Sequence, residues 1–315
     1  MIWVLWMLLL VLLGTTVGYW MDWLLTGRHL LRDPLDLLRY HLHPAESWDR
    51  RWARNPRRSD ILVCLTTTPS RISRIDKTLR SLMAQSVAPL RIRLHLPLAS
   101  RREGREYVLP DWIWRLRSLE VVTCDDLGPA TKLLPALRDL PPQQELLIID
   151  DDALYPPTMI EDLLLARAAC PDCALGLSGW VVPPDLTDRP ESPWSVITQS
   201  PPSPLLATRQ KAMRPVDVLR GCDGYLVRPE FFDPILFASG GREAAAVTAD
   251  DVWISANCRA PKLVIPARRM PFFSLRDWFY FERTALHRLN NPGGRGNLAN
   301  TALIRKYADR WMCAG

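Results

Sequence analysis

The chain has 315 residues, 48% hydrophobic and 23% charged, a balance that supports a large folded core and excludes a mostly disordered polymer. Its 15 Gly and 28 Pro follow no period, which excludes collagen-like and low-complexity architectures. The net charge of +6, from 40 basic and 34 acidic residues, fits phosphates or lipid headgroups as neighbours and gives no case for nucleic acid.

Ile2 to Met21 carries no charge and is mostly Leu, Val, Ile, Met and Trp. At a rise of about 1.5 Å per residue, such a run crosses a hydrocarbon core of roughly 30 Å. Trp3, Trp6, Trp20 and Trp23 stand towards its ends, where amphipathic rings favour the interface. A cleavable signal peptide would want a basic start, a shorter apolar core and a small-residue cleavage site. The segment therefore reads as a retained transmembrane anchor over residues 1–25.

A basic juxtamembrane segment, residues 26–58, follows, with Arg28, Arg32, Arg39, Arg50, Arg51, Arg54, Arg57 and Arg58. Basic residues on this side of the span place the rest of the chain in the cytoplasm, at an inner or plasma membrane, with the arginines near lipid headgroups. The seven cysteines are odd in number and lack a framework spacing, so they read as reduced thiols. Cys170 and Cys173 are then small residues on a turn, or half of a zinc site with Cys222 and Cys258.

Beyond Asp60 apolar runs alternate with helical spacing. Strands are expected at 61–65, 91–96, 119–123 and 146–149, and helices from Ile72 to Met83, from Pro129 to Leu140 and from Thr158 to Ala169. This alternation predicts an α/β fold with a mostly parallel, twisted sheet flanked by helices. Ligands of such sheets bind at the carboxyl ends of strands, which directs attention to Thr66–Thr68, Asp125–Asp126 and Asp150–Asp152. The Pro-rich stretch 183–204 reads as a functional loop. Strands at 224–227 and 262–265 and a short helix at 251–258 complete a domain over residues 59–290. Residues 291–315 form a tail, with 301–312 as a docking helix or an interface.

Asp150-Asp151-Asp152 directly follows a buried strand, where three like charges repel unless a cation offsets them. A hard divalent ion, Mn²⁺ or Mg²⁺, takes carboxylate oxygens and keeps positions open for phosphates. Alternate residues at a strand end turn two carboxylates towards one ion, so Asp150 and Asp152 are the expected metal ligands. A solvated turn capping the next helix is the bland alternative.

Together with LTTTPSRI (65–72), DDLGPATKLLPAL (125–137), LLIIDDDALYPP (146–157), GLSGW (176–180), GCDGYLVRPEFF (221–232) and DDVWIS (250–255), this motif resembles a GT-A fold glycosyltransferase of the family 2-like group. The resemblance covers roughly two thirds of the chain. It implies transfer of a sugar from a nucleotide-diphosphate donor, with the metal on Asp150 and Asp152 neutralising the leaving phosphates. Thr67 would lie near the base, Asp126 near the base or ribose, and Asp151 with the nucleotide. Thr131 and Lys132 would open a helix facing donor phosphate. Asp251, with Asp250 beside it, would be the base that takes the acceptor proton in an inverting reaction. Asp223 would hydrogen-bond an acceptor sugar or hold a turn, Trp253 would be an acceptor platform or a core residue, and His287 would add a ligand to metal or phosphate. The anchor brings membrane lipids and a glycan or lipid-linked acceptor into reach. A nucleotidyltransferase would want a Gly-rich loop after the first strand, which TTTPSRI lacks. A catalytically silent, membrane-tethered nucleotide-sugar-binding protein is the third reading.

Overall fold

The computed structural model describes residues 2–201, 203–233, 249–273 and 297–312. Four short apolar runs build one half of the main sheet: β1 (Leu62–Thr66), β2 (Arg91–Pro97), β5 (Leu119–Cys124) and β6 (Leu146–Ile148). Between β2 and β5 a small hairpin is formed by β3 (Ala99–Ser100) and β4 (Arg105–Glu106). The second half adds β7 (Ala174–Gly176), β8 (Ser178–Trp180), β9 (Leu205–Leu206), β10 (Arg214–Pro215), β11 (Val218–Leu219), β12 (Tyr225–Val227) and β13 (Lys262–Val264). The eight-stranded sheet runs β10-β13-β7-β12-β6-β1-β2-β5, and β11-β8-β9 form a separate three-stranded sheet.

Leu62–Leu65 and Leu146–Ile148 are buried throughout, as strands covered on both faces must be. They pair in parallel, Leu62 opposite Leu146 on one side and Arg91 on the other, and β5 extends the parallel block beyond β2. In contrast, β12 runs antiparallel to both β6 and β7, with Tyr225 opposite Ile148. That reversal carries functional weight. The loop before β12 arrives at the same rim of the sheet as the residues that follow β1, β5 and β6.

The helices are α1 (Ile2–Thr26), α2 (Arg32–Leu42), α3 (Ala45–Arg54), α4 (Asp76–Met83), α5 (Leu134–Asp139), α6 (Met159–Ala169), α7 (Pro193–Thr198), α8 (Asp250–Asn257) and α9 (Leu298–Lys306). The expected mixed α/β architecture, with a sheet rich in parallel pairs and an apolar amino-terminal helix, is the one observed. Two expected helices are divided. Ile72–Arg74 is a 3-10 turn ahead of α4, although Ile72, Ile75, Leu79, Leu82 and Met83 are all buried as their spacing requires. The segment 129–140 splits into a 3-10 turn, Gly128–Lys132, and the short α5. Pro135 stands in the first turn of α5, where its missing N–H leaves no bond unmade. Thr131 and Lys132 therefore close a 3-10 turn and do not open an α-helix.

Residues 32–54 are built into the domain. Tyr40, Trp48 and Trp52 are buried, Trp52 donates its indole N–H to Pro89 O, and the Ser118 amide donates to Asp49. Several of the segment's arginines also serve the fold, Arg57 pairing with Glu161 and Arg58 capping the Trp52 ring and carbonyl. The loop 183–204 contains α7, capped by reciprocal Ser192–Ser195 bonds. Within the tail, α9 docks through Leu303 and Ile304, and the buried Asp217 carboxylate accepts amide bonds from Val182 and Met312.

The cysteine reading needs a correction. Cys170 and Cys173 are joined as a disulfide across the turn after α6, whose Cα atoms stand 5.7 Å apart, within bridging range. Sequence spacing cannot reveal this, since it does not fix the direction of the two Cβ vectors. Bonded to one another, these sulfurs are not available to a zinc site. Cys64, Cys124, Cys222 and Cys258 are free thiols.

Candidate functional site

Five carboxylates gather at the rim. Asp150, Asp151 and Asp152 follow β6, and Asp250 and Asp251 begin α8, a full hundred residues later in the chain. Lys132 joins the two groups. Its ammonium lies 2.7 Å from Asp150, 3.0 Å from Asp250 and 3.9 Å from Asp251. The side chain is buried, which disfavours its charge, yet the three carboxylates more than offset that penalty and hold its pKa well above the usual lysine value. Lys132 is thus a fixed cation inside the site, not an exposed helix residue waiting for phosphate.

Gly221 makes this proximity possible. A Cβ there would collide with the Lys132 ammonium and approach Asp251 Oδ1 at 3.0 Å. Its amide donates to both oxygens of Asp251 at 3.1 Å. Burial and the adjacent Asp250 push the Asp251 carboxyl up to about 7, against the opposing pull of Lys132 and the Gly221 N–H. A carboxyl poised there exchanges protons readily near neutrality.

The middle of the Asp triplet faces elsewhere. Asp151 accepts a hydrogen bond from the Thr67 hydroxyl and, at 3.1 Å, one from the Arg71 guanidinium. Its carbonyl accepts from Thr78, and the Thr67 carbonyl accepts from the Tyr107 hydroxyl at 2.8 Å. Arg71 also reaches Asp152, at 3.6 Å. Burial first, then Asp151 and Asp150, push the Asp152 carboxyl up to about 7, with Arg71 opposing. Five carboxylates thus meet Lys132 and Arg71 directly, with Arg102 acting on Asp151 and Arg220 on Asp251 from farther off, so the acids outnumber these cations. Such an excess favours any further cation that enters.

Among the described residues, no three His, Cys, Asp or Glu side chains form a ready-made metal cage. A small divalent ion does not require one, since it binds through one or two carboxylates and completes its shell with water and phosphate oxygens. Asp150 fits that role, because Lys132 engages only its Oδ1. Asp152, whose charge is disfavoured by burial and then by its acidic neighbours, fits as well. His287, the third expected ligand, lies outside the described residues, as do Asn290 and Asn291.

The other expected residues divide into two groups. Asp126 and Thr131 organise the loop after β5, Asp126 accepting the amides of Arg101 and Gly128 and Thr131 accepting that of Leu127. Asp223 accepts a bond from the buried Ser178 hydroxyl and has Arg220 at 3.9 Å, so it braces the loop before β12. Trp253 packs in the core at 5% exposure, which leaves no ring face for an acceptor. The expectation of a platform there is replaced by the packing reading.

Two residues of the site escaped the sequence. Arg71, within LTTTPSRI, is the cation for Asp151 and Asp152, and no local pattern distinguishes it from its surface neighbours. The Tyr155 hydroxyl accepts the Asp150 amide and lies 3.2 Å and 3.4 Å from the carbonyls of Asp150 and Cys222, bridging β6 to the loop before β12. Its aromatic type in a strand-to-helix loop was the one available signal.

No family model and no curated protein matches the chain. Solved structures do resemble it. The mannosyltransferase PcManGT from Pyrobaculum calidifontis, in complex with GDP-Man and Mn²⁺, is 16% identical over 91% of this chain and 81% of its own, with a TM-score of 0.41. S. aureus TarS 1-349 in complex with UDP-GlcNAc is 11% identical over 79% and 72%, with a TM-score of 0.42. GalNAc-T7 with UDP, GalNAc and Mn²⁺ is 12% identical over 65% and 41%, with a TM-score of 0.40. Likenesses this slight do not bear on what the present chain binds, and its chemistry is argued from its own residues.

Proposed function

We propose that the chain is a membrane-anchored glycosyltransferase that moves a sugar from a nucleotide-diphosphate donor to a glycan or lipid-linked acceptor. One observation carries the reading: the buried Lys132 ammonium bridges Asp150, at the end of β6, to the Asp250–Asp251 pair that opens α8. A cation-seeking acid group and a carboxyl tuned to neutrality thereby share one rim. That combination serves transfer between a phosphorylated donor and a hydroxyl acceptor, the first group receiving the leaving phosphates through a cation and the second taking the acceptor proton.

Asp150 and Asp152 would hold Mn²⁺ or Mg²⁺. That ion, when bound, neutralises the diphosphate as it leaves. Thr67 and Arg71 fix Asp151, which holds the triplet against β1. Asp251 accepts the proton of the acceptor hydroxyl while that oxygen bonds to the anomeric carbon. The bond from the same carbon to the donor phosphate oxygen breaks, and the nucleoside diphosphate departs with the electron pair. Attack from the face opposite the leaving group inverts the anomeric centre. Lys132 keeps Asp150 and Asp251 in register and stabilises negative charge between them.

α1 is long and apolar enough to cross a bilayer, and no residue described in its apolar window is buried within the protein. We read it as the anchor, with the arginine-rich segment and the catalytic domain on the cytoplasmic side. A reporter fused after Gly315 should be active only in the cytoplasm, and activity on the other side would reverse the topology.

The direct test is thermal unfolding of the detergent-solubilised chain with UDP-, GDP- and dTDP-sugars, each with Mn²⁺ or with chelator. A manganese-dependent rise with one nucleotide is expected, because selective binding stabilises by mass action. Asp150→Ala should lose that rise. An unchanged rise in Asp150→Ala would remove the metal assignment, and no rise with any donor would remove the donor site.

A further inference from the structure

The amphipathic pattern of α2 is turned outward. Its acidic residues face the protein, where Asp33 and Asp36 are buried against Arg269 and Tyr40 is 1% exposed. Its leucines face away. Leu31 at its amino-terminal cap, Leu35, Leu38 and Leu42 recur at helical spacing and are 70%, 61%, 54% and 66% exposed. A stripe of this kind is unfavourable against water and marks a contact surface.

Chain continuity identifies what covers it. Residues 27–31 separate α1 from α2, a reach of at most about 20 Å. The domain grips the end of α1 itself. Arg209 donates at 2.8 Å to Leu24 O, the Thr208 hydroxyl donates to Gly27 O, and Gly27 is packed so closely under Thr208 and Met270 that no Cβ would fit. Wherever the end of α1 lies, α2 lies beside it. Arg32 and Arg39 are exposed along the stripe, and Arg28 precedes it, as befits a border with anionic headgroups.

We infer that α2 lies in the interfacial layer of the membrane, its leucines among the upper acyl chains and its arginines among anionic headgroups. It acts as a foot that fixes the orientation of the catalytic domain on the bilayer. The Arg269 cluster couples that foot to the strand-end region following β13. The inference rests on α1 being a membrane span. A second copy of the chain is the competing occupant, but it would have to displace lipid from a helix held next to the span.

The test uses the full chain in vesicles of phosphatidylcholine and phosphatidylglycerol that carry a nitroxide-labelled lipid. A genetically encoded fluorescent residue replaces Leu35 or Leu38, and, as references, Leu12 in α1 or Leu98 on the domain surface. All four side chains are exposed, so the core is untouched. Expected is several-fold stronger quenching of positions 35 and 38 than of 98 by a headgroup-level nitroxide, and quenching of position 12 by a deep one. If position 12 is quenched while 35 and 38 behave like 98, the foot is overturned and the span stands. Emission at 35 and 38 that is shielded from water but unquenched by lipid means protein covers the stripe, which also overturns it. If position 12 escapes quenching too, the span itself fails and the foot falls with it.

Discussion

Two buried ionic clusters in this protein are built on opposite principles. Between α2 and the segment after β13, the buried Arg269 meets both Asp33 and Asp36, and the exposed Arg39 adds a 3.4 Å contact to Asp36 from the surface. At the sheet rim, Lys132 and Arg71 directly meet Asp150, Asp151, Asp152, Asp250 and Asp251, with Arg102 and Arg220 acting from farther off. The first cluster is closed, with each charge answered within the fold. The second holds more acids than cations, and burial first, then the neighbouring carboxylates, push Asp152 and Asp251 up to about 7. A structural cluster balances itself, whereas one that must receive a cationic or phosphate-bearing ligand is left incomplete.

The largest expected effect would come from opening the closed cluster. Arg269→Met strands Asp33 and Asp36 without their buried partner, and removal of one side of such a pair costs about 3–5 kcal/mol. Urea unfolding of the detergent-solubilised chain should show that loss. A change below about 1 kcal/mol, the size of an exposed pair, would mean the cluster is not closed in the way described.

At the rim the corresponding change should spare stability and remove activity. Asp251→Asn keeps an acceptor for the Gly221 amide but cannot take a proton, so transfer should fall by about 10²–10⁴-fold while donor binding persists. Full turnover in this variant would place the base elsewhere. Loss of donor binding along with turnover would show that Asp251 holds the site together and is not a base alone.

How much of this contrast is legible in the sequence depends on range. The strands 62–66, 91–97, 119–124 and 146–148 lie within a residue or two of their expected places, because each is a local apolar run. The Asp triplet and the Asp250–Asp251 pair stand out as acids beside apolar segments. What joins them does not stand out. Lys132 meets both groups only because β12 runs antiparallel and brings Gly221 to the rim, and strand direction is a non-local property. The same limit hides α2. A Leu stripe ordinarily predicts an inward face, and only Arg269, more than two hundred residues away, turns the acids inward instead.

A third charge-sensitive site lies outside both clusters and gives a control of opposite sign. His95 in β2 is fully buried, and burial, helped by Arg93, pushes its pKa down to about 4. The unfolded chain takes up this proton near pH 6.5, so it binds more protons than the folded one between about pH 6.5 and 4. Stability from this group is therefore complete above 6.5 and falls as the pH drops, with a slope of up to about 1.4 kcal/mol per pH unit. His95→Gln should remove that slope from the difference curve. An identical pH profile in both proteins would mean that His95 takes up its proton at the same pH in the native state as in the unfolded chain.

The smallest effect carries the sharpest sign. Asp152 is already disfavoured as a carboxylate by burial, Asp151 and Asp150, whereas Asp36 is held by Arg269 and Arg39. The same substitution should therefore act in opposite directions. In chelator at pH 8, Asp152→Asn removes a charge that burial and its acidic neighbours disfavour by more than Arg71 supports, and should stabilise the chain by about 1 kcal/mol, with the folded-state pKa lying above the unfolded value. Asp36→Asn removes an answered charge and should destabilise it by about 1–3 kcal/mol. Lowering the pH through 7 should erase the gain in Asp152→Asn, because wild-type Asp152 then takes up a proton and reaches neutrality by itself. Adding Mn²⁺ at pH 8 should erase it by the other route, since the ion supplies the missing positive charge to the wild type alone. If both substitutions destabilise equally, the rim cluster is as closed as the one beneath α2, and its acids are there for the fold.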